Sequence, residues 1–496
     1  MNKPENFCFN NNKLGPLIWK TSLPMFGAIL ALLAYDLFES SLLALSGVNT
    51  LAAIGFTLPL TTAMTAIAIG LSIRSNNKVV KSDCLDKANL ACVISTSLIM
   101  SVLIVSLVAL GAYVSNHQLL SLMGNANWAE IGITSEKTNL VNQQTDYMAA
   151  RYISWIFLAL IWQVNAIFRA LGHGLLASYI MFSWLSIKSI LAIILLLPTS
   201  DFFFGALSGL AYVHVISDCL MALLSVVILS KKLKLSFPSL SEVKSQLSTP
   251  KRDAVIVILQ QLITPLSMAL LTIIAAGIDY SYVAAFAFIL RMESLFLLVP
   301  MVLTTSIPAI IGSNFWVGNK QRVKEAYFIT FSFIILIQLF IAFGLLFYST
   351  FLSEALCAQD TVANYISRYF VWVSWGYVSV GCIMVYQSCL NAKGKTIQAL
   401  ILGIFHRIVF LLSFAYLGSI YTLQEDYYQG MLFGHVIHVA NTINDHFYQG
   451  ILVGHIISGL LVLLFLHKNS TLKFLSAKQQ PSKNQLDVQI CTNKAT

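Results

Sequence analysis

Nine ionisable side chains stand inside long apolar stretches of this 496-residue chain. An ionisable group at membrane depth is costly unless it is paired or hydrated, so such residues commonly mark a functional pathway. Carboxylates and imidazoles can also take up and release a proton, which makes them candidates for coupling to an ion gradient. The nine residues are Asp36, Glu39, Lys188, His214, Asp218, Arg291, Glu293, His406 and Arg407.

Five of these residues lie in the first half of the chain and form the predicted ion-coupling site. Asp36 and Glu39 are three residues apart, which places both on one face of a helix. At about 1.5 Å per residue, Lys188 and His214 come to roughly the middle of a membrane span, and Asp218 lies one turn deeper. We predict that the five residues couple transport to a proton or sodium gradient. The alternative is a static network in which Lys188 neutralises Glu39 permanently.

The second half of the chain contains the residues predicted to line a substrate cavity. Arg291 and Glu293 are two residues apart and do not face each other along one helix, so each needs a partner from another helix or a wet cavity. Arg407 and its neighbour His406 are candidate partners of Glu293. For the three glutamines of this set, Gln260, Gln261 and Gln387, interhelical hydrogen bonding is the alternative role. The predicted cavity residues are Gln260, Gln261, Arg291, Glu293, Tyr386, Gln387 and Arg407.

The composition excludes several classes of protein. Hydrophobic residues make up 57% of the chain and charged residues 10%, with a mean hydropathy of +0.77. Soluble domains carry about 25% charged residues, so a soluble enzyme, a disordered chain and a nucleic-acid-binding protein are excluded for the main mass. The sequence contains no HExxH, Walker A or GxSxG element, and its eight cysteines show no CxxC spacing. We therefore predict neither an enzyme nor a metal site, and no cofactor other than a coupling ion, H⁺ or Na⁺.

The apolar stretches predict a polytopic membrane protein. A helix that crosses a hydrocarbon core of about 30 Å needs about 20 mostly apolar residues. With the N-terminus inside, 24 of the 30 Lys and Arg residues fall on the cytoplasmic side, and a wrong number of spans would destroy this asymmetry. We therefore expect an integral protein of the bacterial inner membrane with both termini in the cytoplasm. The twelve predicted spans are 17–43, 51–72, 90–113, 148–168, 175–198, 204–230, 254–277, 282–311, 327–350, 366–390, 397–421 and 446–466.

A polar segment divides the spans into two groups of six, and weak repetition relates the groups. Leu51–Phe56 at the start of span 2 resembles Val283–Phe288 at the start of span 8, and Arg169–Gly172 after span 4 resembles Asn391–Gly394 after span 10. Six helices per half predict parallel repeats that rock against each other around a solute pathway. The expected fold is all-α and polytopic, with 12 transmembrane helices in two pseudo-symmetric six-helix lobes. The predicted parts are an N-terminal lobe 1–230, a cytoplasmic loop 231–253, a C-terminal lobe 254–467 and a basic cytoplasmic tail 468–496.

A second, shorter repeat occupies residues 428–457. Tyr428–Ile437 recurs as Tyr448–Ile457 with seven of ten positions identical, which predicts a tandem duplication of the start of span 12. A thirteenth span would move the Lys-rich tail outside, so we expect the first copy to be an outer loop extension or a re-entrant segment.

Short motifs follow one another along the chain in a recognisable order. They are Tyr35–Gly47 with Leu51–Gly55, Phe168–Gly172, Val283–Ala285, Arg291–Ser294, Pro300, Gly312–Asn314, Gly318–Arg322 and Asn391–Gly394. In this order and in a twelve-span frame, the motifs resemble the multidrug and toxic compound extrusion (MATE) family, and within it the DinF-like branch. The resemblance covers about 15–467. It implies efflux of drugs or metabolites, driven by a proton or sodium gradient, through a V-shaped pair of six-helix lobes.

The resemblance also assigns positions to the predicted coupling residues. Glu39 stands where the family has an aspartate in helix 1, and Asp36 stands where it has an asparagine. His214 takes the place of a threonine in helix 6. The family's asparagine and aspartate of helix 5 fall on Lys188 and Ala192.

The departures in helix 5 imply altered coupling chemistry. Ala192 removes a carboxylate and Lys188 adds a cation, so a Lys188–Glu39 pair that opens when Glu39 is protonated is one hypothesis. A second hypothesis is that Asp218, from span 6, supplies the carboxylate that is missing at Ala192.

Together the sequence and the resemblance predict a secondary active transporter that exports amphiphilic, cationic drugs or metabolites by cation-coupled antiport and alternating access. A lipid-linked precursor flippase of the same superfamily is the alternative. A flippase would line its cavity with several Lys or Arg residues, whereas three basic residues and four carboxylates lie away from the ends of the spans. The expected partners are the small-molecule substrate, the coupling cation and membrane lipids, without nucleic acid, and the chain is expected to act as a monomer.

Overall fold

The computed structural model describes nine stretches of the chain, and nearly all of their residues are helical. Sixteen α-helices lie in these stretches, together with a 3₁₀ turn at Ser374–Gly376 and a π-helical segment at Phe405–Leu412. The described residues are 13–45, 48–85, 89–122, 135–196, 206–233, 252–278, 280–356, 360–432 and 445–476.

The helices follow the apolar runs of the sequence, because a chain inside a membrane must satisfy its backbone hydrogen bonds internally. In chain order they are α1 Leu14–Leu45, α2 Val48–Leu85, α3 Leu90–Val114, α4 Asn116–Leu122, α5 Ser135–Ala170, α6 Gly174–Leu196, α7 Ala206–Leu233, α8 Arg252–Ala276, α9 Tyr280–Phe296, α10 Leu298–Trp316, α11 Lys320–Leu356, α12 Asp360–Val373, α13 Tyr377–Ala392, α14 Thr396–Ile404, α15 Ser413–Leu432 and α16 His446–Ser476.

These helices make twelve passages, which is the number that the sequence predicts. The short α4 is not a passage, and three pairs of helices each continue as one: α9 with α10, α12 with α13 through the 3₁₀ turn, and α14 with α15 through the π segment. Ten of these passages, all except α2 and α16, contain a helical stretch in the described part of the chain that is long and apolar enough to cross a membrane. An even number of passages returns the chain to the side where α1 begins. That side is called the terminal face below.

The eighth predicted span differs in detail from the structure. The sequence predicts one helix over 282–311, whereas α9 ends at Phe296 and α10 begins at Leu298. Pro300 lacks the N–H that would bond the carbonyl of Phe296, so the helix is interrupted one turn before the proline. Gln338 of α11 donates its Nε2 to that carbonyl over 3.2 Å. A side chain from a neighbouring helix therefore satisfies the carbonyl that the proline frees.

The turn after α5 and the turn after α13 have the same geometry. Gly172 (φ +79°) and Gly394 (φ +73°) both adopt the left-handed conformation that glycine tolerates best. In each turn the residue after the glycine donates its N–H to the carbonyl five residues before it, over 2.8 and 2.9 Å. The similarity of the two sequence motifs therefore corresponds to a repeated structure.

The two halves of the chain meet near the terminal face. Ser22 of α1 and Ser306 of α10 share a hydrogen bond of 2.7 Å. The Nζ atom of Lys81, near the end of α2, lies 4.7 Å from the ring centroid of Trp316, at the end of α10. These residues belong to the halves of their helices that adjoin the terminal face.

Charged groups add to this contact. Asp253, at the start of α8, interacts electrostatically with Arg74 and Lys78 of α2. Thr396, at the start of α14, donates its hydroxyl to Asp253 over 3.4 Å. The contacts together close the molecule at the terminal face.

Some predicted features fall wholly or partly outside the described residues. The first copy of the duplicated segment is helical to Leu432, where α15 ends, and its remainder at 433–437 is outside them. The last helix, α16, continues to Ser476, so the first residues of the predicted tail, 468–476, are helical. The rest of the tail, 477–496, and most of the predicted loop, 234–251, are outside them as well.

Candidate functional site

The first lobe contains a carboxylate and an imidazole at ion-pair distance. Oε2 of Glu39, on α1, lies 3.7 Å from Nε2 of His214, on α7. The Glu39 side chain is 20% exposed and that of His214 is 4% exposed. Neither ring nitrogen of His214 has a hydrogen-bond partner among the described residues. The imidazole can therefore gain a proton and pair with a carboxylate that remains accessible from one side.

Asp218 lies one turn after His214 and is held by neutral donors. It has no exposed surface. Ser154 of α5 donates its hydroxyl to Oδ2 over 2.5 Å, and Trp184 of α6 donates its indole N–H to Oδ1 over 2.8 Å. Arg151 donates in turn to the hydroxyl of Ser154 over 3.4 Å. Each carboxylate oxygen thus has a donor, so Asp218 is a fixed negative charge in the lobe.

Lys188 is enclosed by aromatic rings. Lys188 is 6% exposed, and its Nζ lies 5.0 Å from the ring centroids of both Tyr35 and Trp184. Such cation–π contacts stabilise a charge that has little access to water. Lys188 interacts electrostatically with Asp218 and, as a smaller contribution, with Glu39.

A direct Lys188–Glu39 ion pair is not part of this arrangement. Among the described residues, the basic side chain within 4.0 Å of the Glu39 carboxylate is His214. The ring of Tyr35, four residues before Glu39 on the same helix, lies against Lys188. The hypothesis of a Lys188–Glu39 bridge is therefore wrong for this conformation, and the bridge is replaced by a His214–Glu39 pair.

Asp36 forms the exposed side of the cluster. Its side chain is exposed, and it interacts electrostatically with Glu39 and Lys188. The five residues predicted for ion coupling are therefore brought together by α1, α6 and α7, with Asp36 exposed at one side and Asp218 without exposed surface. Three further members were not predicted: Ser154, Trp184 and Arg151.

The second lobe has a buried charge cluster of its own. Glu293 of α9 is 6% exposed and Arg407 of the π segment is 9% exposed, and the two interact electrostatically. Tyr369 and Tyr377 also interact with Glu293 and are buried. The predicted partnership of Glu293 with the 406–407 dipeptide is thus present through Arg407.

His406 has a different partner. Its Nε2 lies 3.2 Å from Nδ1 of His455 on α16, and both residues are 2% exposed. The π-helical turn brings His406, Arg407 and Leu411 to the buried side of the helix. Single π-helical turns within α-helices occur frequently at functional sites.

His455 was missed by sequence reasoning, although a signal for it exists. His214 follows Gly209 by five residues, and His455 follows Gly450 by five residues. A Cβ at either glycine would meet a backbone carbonyl of the preceding helix, so both are sites of close helix approach. A comparison of α7 with α16, aligned on these glycines, would have placed the two histidines at the same position in each lobe.

Comparisons with known proteins agree with this architecture. The MATE transporter VcmN of Vibrio cholerae has a TM-score of 0.79 and 23% identity, and the match covers 92% of this chain and 97% of that chain. A multidrug resistance MATE family transporter in an outward-facing conformation has a TM-score of 0.80 and 17% identity, over 97% of this chain and 100% of that one. Both likenesses show the fold.

Sequence comparison gives a family match for part of the chain. The MatE family model matches residues 257–417, and over these residues the chain is similar to the MATE family. A relative named FAD transporter, from Shewanella oneidensis, is 27% identical over 411 residues, which cover 82% of this chain and 88% of the relative. The apolar helices indicate an integral membrane protein, and the matches indicate a transporter rather than an enzyme. Assignment to the DinF-like branch stays a prediction.

Several predicted cavity residues make contacts between helices. Gln260 accepts a hydrogen bond of 3.0 Å from Asn391, and Gln387 donates one of 3.1 Å to the carbonyl of Ala399. Tyr386 is 3% exposed, so it contributes to packing more than to an open cavity. These contacts are the alternative role that the sequence left open for the amides.

The remaining predicted cavity residues differ in exposure. Gln261 is partly exposed and Arg291 is exposed, so both are accessible to a solute. Glu293 and Arg407 are buried, as described above. They interact electrostatically with each other and do not line an open cavity.

Proposed function

We propose that this MATE transporter exports amphiphilic organic compounds in exchange for protons, by antiport and alternating access. The observation that supports the proposal is the His214–Glu39 pair, whose nitrogen and oxygen lie 3.7 Å apart. An imidazole beside a carboxylate can bind and release one proton as its surroundings change. Because the two residues belong to α1 and α7, protonation changes the attraction between two helices.

The ionised side chains around this pair sum to one negative charge. Three carboxylates and two basic side chains surround the imidazole, so the cluster has one excess negative charge when all five are ionised and the imidazole is neutral. A proton on His214 removes that excess. The imidazole nitrogens favour H⁺ over Na⁺, since hard alkali and alkaline-earth cations prefer oxygen ligands. The five side chains are Asp36, Glu39, Asp218, Lys188 and Arg151.

We assign the terminal face to the cytoplasm and the structure to an outward-facing state. The assignment is supported by the concentration of Lys and Arg on that face. The outward-facing state is supported by the contacts that close the same face. A proton from outside then enters past the exposed Asp36 and forms a His214⁺–Glu39⁻ pair, and it is released when the lobes rock and open the cytoplasmic side.

Two classes of substrate fit this site. The cluster around His214 has three carboxylates and two basic side chains, which favours an amphiphilic cation as the first candidate. The relative named FAD transporter favours FAD as a second candidate. FAD has a planar isoalloxazine ring and an anionic diphosphate, and the exposed Arg291 and the aromatic-enclosed Lys188 are the groups that would attract the diphosphate.

The test is transport by the purified protein in liposomes with an imposed pH or sodium gradient. Efflux of a fluorescent organic cation and of FAD is followed in parallel. We expect transport under the pH gradient and its loss when the gradient is collapsed. Glu39→Gln is expected to abolish gradient-driven transport while the protein remains folded and binds substrate. Glu354→Gln, at an exposed site near the end of α11, is the matched control and should transport normally.

Each alternative result has a defined meaning. Undiminished pH-dependent transport by Glu39→Gln would overturn the coupling site. Transport under the sodium gradient alone would replace H⁺ with Na⁺ as the coupling ion. Transport of FAD but not of the cation would select the second substrate class, and transport under neither gradient would favour the lipid-linked precursor flippase.

A further inference from the structure

A groove opens on the terminal face between the start of α1 and the first turns of α11. Its volume is about 670 Å³. Lys13 and Leu14 form one wall, and Arg322, Lys324 and Phe328 belong to the other. The two walls come from different halves of the chain, so the groove lies where the lobes meet.

The groove has a net positive charge. Three basic side chains line it, together with a single carboxylate, that of Glu325. Gln321 donates its Nε2 to one oxygen of Glu325 over 3.0 Å, which partly satisfies that carboxylate. Lys13 and Lys324 are exposed. An anion that enters the groove therefore meets basic groups from both walls.

An apolar surface continues from the basic one. Phe328 is 74% exposed and lies one helical turn after Lys324, towards the middle of α11. Ile329 lines the groove beside it. A free inorganic anion would gain nothing from contact with this apolar surface. A molecule with a charged head and a hydrocarbon tail would contact both the basic and the apolar surface.

We propose that this groove binds the headgroup of an anionic phospholipid, with an acyl chain lying against Phe328. Basic pockets between transmembrane helices on the cytoplasmic side bind anionic headgroups, which are attracted to clustered Lys and Arg. The proposal rests on the orientation given under Proposed function, because it places the groove at the cytoplasmic leaflet. Phosphatidylglycerol is the bacterial lipid chemistry that fits, since it has a net negative charge and no cationic headgroup.

The position of the groove couples the lipid to the conformation of the transporter. Leu14, Leu17 and Ile18 at the start of α1 pack in one cluster with Ile307 and Tyr327 of the second lobe. A lipid between Lys13 and Lys324 would bridge the same two lobes and stabilise the closed terminal face. Opening of that face would separate the two walls, so the lipid should bind this state more tightly than the open one.

The first experiment measures lipid binding directly, without transport. The purified full-length protein is titrated with phosphatidylglycerol and with phosphatidylcholine, and bound lipids are counted by native mass spectrometry. A basic residue near an anionic headgroup contributes about a factor of five to binding. The double variant Lys13→Gln/Lys324→Gln should therefore bind phosphatidylglycerol roughly twenty-five-fold more weakly. Lys231→Gln/Lys232→Gln, at the exposed end of α7, removes the same charge from the terminal face and should bind like the wild type.

Two further arms separate a lipid from a free phosphate. Inorganic phosphate at a concentration of several millimolar should not displace phosphatidylglycerol, and Phe328→Ser should weaken lipid binding although it changes no charge. Displacement by phosphate together with unchanged binding by Phe328→Ser would show that the groove holds only a phosphate group. Equal binding of the two lipids by the wild type, or equal loss in both double variants, would overturn the proposal. None of these outcomes depends on the coupling ion or the exported substrate.

Discussion

Asp218 shows how a single residue can hold a charge inside the membrane. It has no exposed surface, and the hydroxyl of Ser154 and the indole of Trp184 occupy its two oxygens. Lys188 supplies the opposite charge at longer range. The neutral donors fix the position of the carboxylate, and the cation offsets part of its desolvation. Asp218 therefore lies close to the His214–Glu39 pair, to which we assign proton exchange.

Asp218→Asn should destabilise the first lobe. The change leaves Lys188 and Arg151 without their buried counter-charge. It also places an amide N–H, which is a donor, opposite Ser154 or Trp184, each of which already donates to this side chain. Breaking a buried charge interaction in this way costs about 3 kcal/mol. Thermal unfolding of the detergent-solubilised protein should show a lower midpoint than the wild type. Asp360→Asn, at an exposed position, is the control, and an equal midpoint for both variants would contradict the role assigned to Asp218.

The residue-scale predictions from the sequence were partly correct, for a reason that concerns side-chain reach. The five predicted coupling residues do lie together, since each is at a similar depth on a helix of the same lobe. Their pairing was not predictable, because the ring of Tyr35 occupies the space beside Lys188 and leaves His214 to face Glu39. A sequence shows which groups are available, but their partners depend on what else fills the gap.

At the scale of helices, the interruption between α9 and α10 has a simple physical cause. Pro300 cannot donate to the carbonyl of Phe296, and Gln338 of α11 donates in its place. The break at Leu297 lies four residues after Glu293, which belongs to the buried charge cluster of the second lobe. A local backbone defect is thus repaired by a tertiary contact close to charged groups.

The variants Gln338→Leu and Pro300→Ala should show coupled stabilities. Gln338→Leu leaves a buried carbonyl without its donor and should lower the free energy of unfolding by about 1–2 kcal/mol. In the Pro300→Ala background the new N–H can serve that carbonyl, so the same change should cost about 1 kcal/mol less. The measurement is a double-mutant cycle of thermal or denaturant unfolding. Strictly additive effects would show that the two groups do not share the carbonyl.

The sequence predicted the elements of the fold better than their irregularities. Length and hydropathy placed the twelve passages, since both are properties of contiguous residues. The break at Leu297 and the π segment at Phe405–Leu412 were not predicted. Each depends on neighbouring helices that accept an irregular backbone, and such neighbours are distant in the sequence.

At the scale of the whole molecule, closure of the terminal face should control transport. The hydroxyls of Ser22 and Ser306 are 2.7 Å apart and join the two lobes. In Ser22→Cys/Ser306→Cys, mild oxidation should form a disulfide, because the two sulfurs would take the places of hydroxyl oxygens that are already in contact. The locked protein should lose at least about tenfold in transport rate, since alternating access needs this contact to open. A reductant should restore the rate.

The single variant Ser22→Cys, oxidised in the same way, controls for the native cysteines. If the oxidised double variant carries the disulfide and still transports at the normal rate, this face does not open during the cycle. The same readout applied to liposomes with and without phosphatidylglycerol would show whether the lipid favours the closed state.

The sequence alone determined that this is a membrane protein with twelve passages, two halves and a small set of charges inside the bilayer. Hydropathy, helix length and charge asymmetry act along the chain, so they are legible from residue order. The tertiary structure decided which of those charges meet: His214 with Glu39, Asp218 with two neutral donors, and His406 with His455. Those pairings depend on the rotation and spacing of helices that lie far apart in the sequence, and packing alone sets both.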